Sequence, residues 1–182
     1  MRRSYFSTFQ LILLALFAGL IVVAKIALRT PIQLPGHSGL FWMALLVVAA
    51  GVVPKRGAAS LTGLTSGILA AFLGLGDFGA LDTLISYTMA GVGVDLGLML
   101  MQATPENLLV ATLAGILGHL GKYLVKWIFG LLSGAPLGFV ALGMVWSLAS
   151  YIMFGALGGL LGGLTLKALR RAGFFAYIAE KK

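Results

Sequence analysis

Cysteine is missing from the chain, and charge is scarce: only 10% of the 182 residues are Asp, Glu, Lys or Arg. The first absence excludes disulfides, thiolate chemistry and Cys-ligated metals. The second excludes an ordinary soluble domain, in which about a quarter of residues are charged. A GxxxxGK[ST] phosphate loop is also absent, so any ATP hydrolysis linked to this chain must take place in another polypeptide. No cleavable signal peptide is evident, because the first apolar run is too long and lacks a small-residue cleavage site.

What is present is apolar. Hydrophobic residues make up 60% of the chain, and the mean hydropathy is +1.04. These values predict an integral membrane protein, all-α, with no room for a soluble catalytic domain. At about 20 residues per span plus loops, the length allows about six helices. The 26 glycines suit closely packed membrane helices. Proline, glycine and polar breaks place the helices at about 9–28, 39–53, 58–75, 81–101, 108–132 and 137–166, in a single membrane domain over 1–182.

The hairpin Leu34–Gly74 sets the orientation. Its arms are apolar, and its turn is Pro54-Lys55-Arg56-Gly57. Two cations cannot easily sit in hydrocarbon, so they mark a membrane surface, and a basic loop this short is normally cytoplasmic. Six spans then place both termini inside, where Arg2, Arg3, Lys167, Arg170, Arg171, Lys181 and Lys182 also lie. The net charge of +8 is therefore mostly topological, and it does not point to nucleic acid.

Five ionisable residues near or within the spans are left unexplained by topology: Lys25, Asp95, His119, Lys122 and Lys126. Intramembrane charge is costly, so each is a candidate for function. His119, Lys122 and Lys126 are spaced i, i+3, i+7 and share one face of the fifth helix. By helical rise, Lys122 lies roughly two-thirds of the way to the outer surface. Lys25 and Arg29, at i, i+4 on the first helix, reach a similar height. Snorkelling to the outer headgroups accounts for Lys25, Arg29 and Lys126 on one reading. On the other, these cations line an outward-facing cavity that binds an anion. Lys122 is deeper and fits the second reading better.

His37 lies in the outer loop before the second helix, either solvated or part of a lid. Trp146 is either a packing or lipid-facing residue or a stacking wall, and Tyr87 completes the candidate binding set Lys25, Arg29, His37, Tyr87, Lys122, Lys126 and Trp146. Trp42 and Trp127 read as interface anchors. Asp95, deeper toward the inside, is expected to pair with His119 across the bundle, the alternative being that the two contact substrate. No catalytic, cofactor or metal set is expected.

Small residues form two further patterns. Gly155, Gly159 and Gly163, with Gly158 and Gly162, permit close backbone approach on two faces of the sixth helix. Ala15 and Gly19 form a small-xxx-small step in the first helix. Gly74-Leu75-Gly76-Asp77 resembles the GxGD motif of presenilin-type intramembrane aspartyl proteases. That chemistry needs two facing aspartates at membrane depth. Asp77 lies at a helix end, no Tyr-Asp partner motif exists, and Asp95 is about 20 Å from the required level, so the protease reading is rejected.

The hairpin Pro35–Gly74 resembles the substrate-binding S components of energy-coupling factor (ECF) vitamin transporters. These have about this size, six helices with both ends inside, a proline-containing first outer loop, and a Gly-Pro-Lys turn before a glycine-rich third helix, of which this chain lacks the glycine before the proline, with Gly51 displaced from it. Here the turn is Val53-Pro54-Lys55-Arg56-Gly57-Ala58. The resemblance implies a non-enzymatic subunit of the prokaryotic cytoplasmic membrane that binds a vitamin in its outer half. It also implies partners: a coupling transmembrane subunit, met through small residues of the first helix, and two ATPase subunits. Ala15-xxx-Gly19 is similar to the Ala-xxx-Ala pattern used there. The alternative is a self-sufficient, dimeric secondary permease or channel.

Overall fold

The computed structural model describes residues 5–27, 35–134 and 136–175, without the side chains of Phe139 and Val140. Six helices follow one another: α1 (Thr8–Ala27), α2 (Gly39–Val52), α3 (Ala58–Phe72), α4 (Ala80–Met101), α5 (Leu108–Leu132) and α6 (Leu137–Arg171). Four of them, α1, α4, α5 and α6, are long and apolar enough to cross a membrane. With 14 and 15 residues, α2 and α3 rise only about 21 and 22 Å, short of the roughly 30 Å hydrocarbon layer.

The helix ends follow from local chemistry. Asn107 caps α5, its side-chain oxygen accepting from the Leu109 amide at 3.0 Å. Gly57 precedes α3 at φ +85°, a conformation that favours glycine and leaves the helix start without a side-chain cap of its own. The missing acceptor comes from α4. Buried Asp95 accepts from Ala59 N at 3.3 Å with Oδ1 and from Ser60 N at 2.7 Å with Oδ2. The negative carboxylate also suits the positive end of the helix dipole. The expected pairing of Asp95 with His119 is thus corrected: Asp95 is held at the α3 N-terminus, and His119 binds elsewhere. Thr62 returns its hydroxyl proton to its own helix, donating to the Ala58 carbonyl at 2.9 Å, whereas the Ser60 hydroxyl donates to Asp95 of α4.

The helices close into a bundle in which α3 packs on α4, α4 on α5, α5 on α6 and α6 on α2, with α1 against α2 and α3. The central element is α2, buried on nearly every side. The glycines of α6 make two seams within the bundle. Atoms replacing the missing Cβ would lie 2.7 Å from the Gly159 Cα if placed on Gly115, and 2.7 Å from the Leu40 carbonyl oxygen if placed on Gly158. Gly155 and Gly159 therefore serve α5, and Gly158 and Gly162 serve α2. By contrast, α1 is peripheral: Ala15 is exposed and Gly19 has nothing within 4 Å of a would-be Cβ.

One end of the bundle is basic. There Lys55 Nζ donates to the Tyr5 carbonyl and sits 5.4 Å from the Tyr5 ring and 5.7 Å from the Phe6 ring. Arg170 of α6 pairs with Glu106 of the α4–α5 turn.

Candidate binding site

The end opposite the Lys55–Arg56 turn holds a cluster of rings and one buried cation. Trp42, in the first turn of α2, stacks on Tyr87 of α4, with ring centroids 5.2 Å apart and 27° between planes. His119 of α5 meets the same indole edge-on at 5.8 Å. Tyr151 of α6 lies 4.5 Å from the His119 ring, and Tyr123 lies 5.2 Å from Tyr151. Four helices thus contribute to one aromatic group.

Lys122 is the cation. Only 6% exposed, it places Nζ 4.4 Å from the Trp42 ring centroid and 5.4 Å from that of Tyr87. Ring faces carry negative charge density and attract an ammonium, more so away from water. Among the described residues it has no carboxylate within ion-pair distance. The acids nearby are engaged elsewhere: Asp77 pairs with Lys126, while Asp82 accepts from the Ser86 hydroxyl at 3.1 Å and the Phe78 amide at 3.4 Å. A narrow cavity of about 10 Å³, room for about one water molecule, lies between Lys25, Asp77, Asp82, Tyr87, Lys122 and Lys126.

Three buried polar atoms have no hydrogen-bond partner among the described residues: Trp42 Nε1, the Tyr87 hydroxyl and His119 Nε2. Buried polar groups are almost always partnered, so three in contact are unusual. The other imidazole nitrogen, Nδ1, is 2.9 Å from the Tyr151 carbonyl oxygen. The connection before α2 lies over this group: the missing Cβ of Gly36 would be 3.1 Å from His119 Cε1 and 3.2 Å from Tyr151 Cδ2.

The expected binding residues divide accordingly. Tyr87 and Lys122 join the cluster, Lys25 and Lys126 line its cavity, and half-buried His37 lies in the connection above it. Trp146 does not join: it is 78% exposed on the bundle surface, away from the other rings. Arg29 lies outside the described residues. Sequence reasoning missed Trp42, His119 and Tyr151 as parts of one group. The available signal was that Trp42 follows Gly39 by one turn and His119 precedes Lys122 by one turn.

A larger hollow of about 560 Å³ opens at the basic end, beside Ala50, Lys55, Arg56, Asp95, Gln102 and Thr104.

Four apolar helices long enough to cross a membrane, gathered around a buried cation and rings, describe a multi-pass membrane protein. The chain belongs to the family described as "ABC-type cobalt transport system, permease component", which matches residues 7–121. Its fold is that of a solved S component of an ECF transporter, with TM-score 0.63 and 18% identity over 92% of this chain and 85% of that one. No curated protein sequence matches it. Family and apolar helices make it a component of a transport system in the cell membrane.

Proposed function

We propose that this chain is the membrane substrate-binding subunit of an ECF-type importer, taking up a small anionic vitamin or vitamin precursor. Buried Lys122, held by the faces of Trp42 and Tyr87 and not by a carboxylate among the described residues, is the observation that carries this reading. A ligand carboxylate would give its ammonium the charged partner that a buried cation requires. The rings beside it suit a flat organic molecule. Cobalt, named in the family description, takes nitrogen, oxygen or sulfur ligands. Among the described residues no three His, Cys, Asp or Glu side chains gather to hold a metal ion, which favours an organic anion as cargo.

In this reading the six helices span the membrane with both termini cytoplasmic, and the aromatic cluster faces outward. A coupling membrane subunit docks on the Ala15–Gly19 face of α1, and two ATPase subunits supply energy. Cysteines at Ser38 and Ser133 should label from outside and one at Thr104 only after permeabilisation. The decisive experiment is purification from native membranes, with mass spectrometry of both the carried small molecule and the copurifying proteins. An organic acid with an ATPase pair and a helical membrane subunit is expected. Uptake by the chain alone would replace this reading with that of a self-sufficient permease.

A further inference from the structure

The hollow at the basic end is formed where two turns meet. Lys55 and Arg56 of the α2–α3 turn line it together with Gln102 and Thr104 of the α4–α5 turn, and Leu98 and Met99 of α4 add apolar surface. Its volume of about 560 Å³ is that of a small-molecule site. Lys55 is engaged with the Tyr5 carbonyl and the rings of Tyr5 and Phe6. Arg56 is exposed and has no carboxylate partner among the described residues. The acid of this lining, Asp95, already holds the Ala59 and Ser60 amides and the Ser60 hydroxyl, so its charge is met within the wall. Gln102 is the one non-glycine at positive φ among the described residues, at +47°. Such a conformation is uncommon for a residue with a side chain, and strain of this kind gathers where ligands are held. Thr104 also borders a neighbouring hollow with Lys167, Arg170 and Arg171, so positive charge continues around the same end.

We infer that the hollow seats the phosphate headgroup of an anionic phospholipid, with Arg56 as its principal contact. This goes beyond the transport reading and does not depend on the cargo. Basic recesses between membrane helices attract anionic headgroups, and a guanidinium can meet a phosphate through two parallel hydrogen bonds. The Gln102 amide and the Thr104 hydroxyl supply neutral donors beside it. Depth favours lipid as well. With 14 and 15 residues, α2 and α3 fall short of the hydrocarbon layer. A span that short draws headgroups inward toward its ends, to the level of the turn that carries Arg56. Exposed Met99 and half-buried Leu98 then suit the glycerol and the first methylenes of the acyl chains.

Native mass spectrometry of the full chain in detergent tests this, with titration by phosphatidylglycerol or by phosphatidylcholine of the same acyl chains. Phosphatidylglycerol should bind more tightly, and equal binding of the two lipids overturns the selection for an anion. Arg56→Gln should weaken phosphatidylglycerol about tenfold or more, as for loss of a charged hydrogen bond. Its unfolding midpoint should not move, because Arg56 is exposed. Arg171→Gln removes the same charge from the same end but outside this hollow, and should change binding little. Ala103→Trp fills the hollow, keeps every charge and should displace the lipid. Equal losses in Arg56→Gln and Arg171→Gln, with none in Ala103→Trp, would show diffuse attraction to the basic end in place of a seat. Glycerol phosphate carries the anion without the chains and should not compete at millimolar concentration. If it displaces the lipid from the natural chain and not from Arg56→Gln, the ligand is a soluble phosphate compound and the lipid assignment falls.

Discussion

The Asp95 carboxylate of α4 holds the amide of Ser60 at 2.7 Å, across the boundary where α3 begins. A helix start leaves backbone N–H groups unpaired, and Gly57 offers no side chain to meet them. Asp95 is buried at the wall of the hollow at the basic end. Asp95→Ala should cost about 1–3 kcal/mol of stability, the range for stranding buried donors. Denaturant or thermal unfolding in detergent measures this. Asp95 is at the other end of the bundle from the aromatic cluster, so substrate affinity of the folded fraction should hold. Full stability in the alanine variant would mean that α3 does not need this cap.

The α5–α6 seam depends on absent side chains. A Cβ on Gly115 would be 2.7 Å from the Gly159 Cα, and one on Gly155 would be 2.9 Å from the Gly115 carbonyl oxygen. These neighbours are backbone and cannot rotate away. Gly115→Ala should therefore force the two helices apart, with a loss of about 1–3 kcal/mol as for overpacked cores. Gly19→Ala, into open space, should leave stability unchanged or raise it, because alanine favours helix. Unfolding midpoints of the two variants make the comparison, and equal midpoints would show that the seam yields.

Helix boundaries were legible because punctuation and hydropathy agree. Pro54–Gly57 and Pro105–Asn107 interrupt apolar runs, and α5 occupies the expected 108–132. The exceptions have physical causes. Hydropathy marks where the membrane ends, whereas α6 continues to Arg171 through Lys167, Ala168 and Leu169, which favour helix in water as well. At the end of α3, Gly74 at φ +64° turns the chain before Leu75. Lys122 stood out in the sequence because hydrocarbon penalises charge. The aromatic partners did not, because indole and phenol rings suit a lipid face, an interface or a core equally. With α2 apolar all round, no periodicity tells Trp42 to turn inward, and nothing in its spacing tells Trp146 to turn outward.

The peripheral position of α1 gives docking a clear expectation. Ala15 is exposed, and Gly19 has open space beside it. A partner helix can approach closely where side chains are small. Ala15→Trp should abolish uptake by the assembled transporter while leaving stability and substrate binding of the isolated chain intact. Uptake and binding assays on the same variant separate the two. Loss of binding as well would mean that this face supports the bundle.

Lys122 provides the strictest test of the anionic cargo. It is buried over Trp42 and Tyr87, while Lys126 at the cavity wall is already paired with Asp77. A charge-assisted hydrogen bond from Lys122 to a ligand carboxylate should contribute roughly 1.5–3 kcal/mol. Lys122→Met keeps most of the aliphatic volume and removes the charge. It should weaken binding of the acid about ten- to a hundredfold or more, and hardly affect a neutral amide of the same compound. Calorimetric titration of both compounds against both proteins reads the difference. Equal losses for acid and amide would assign Lys122 to the fold, through its contacts with the rings. Unchanged affinity for the acid would mean that the anionic group is met elsewhere, and Lys25, which lines the same cavity, would be the next residue to replace.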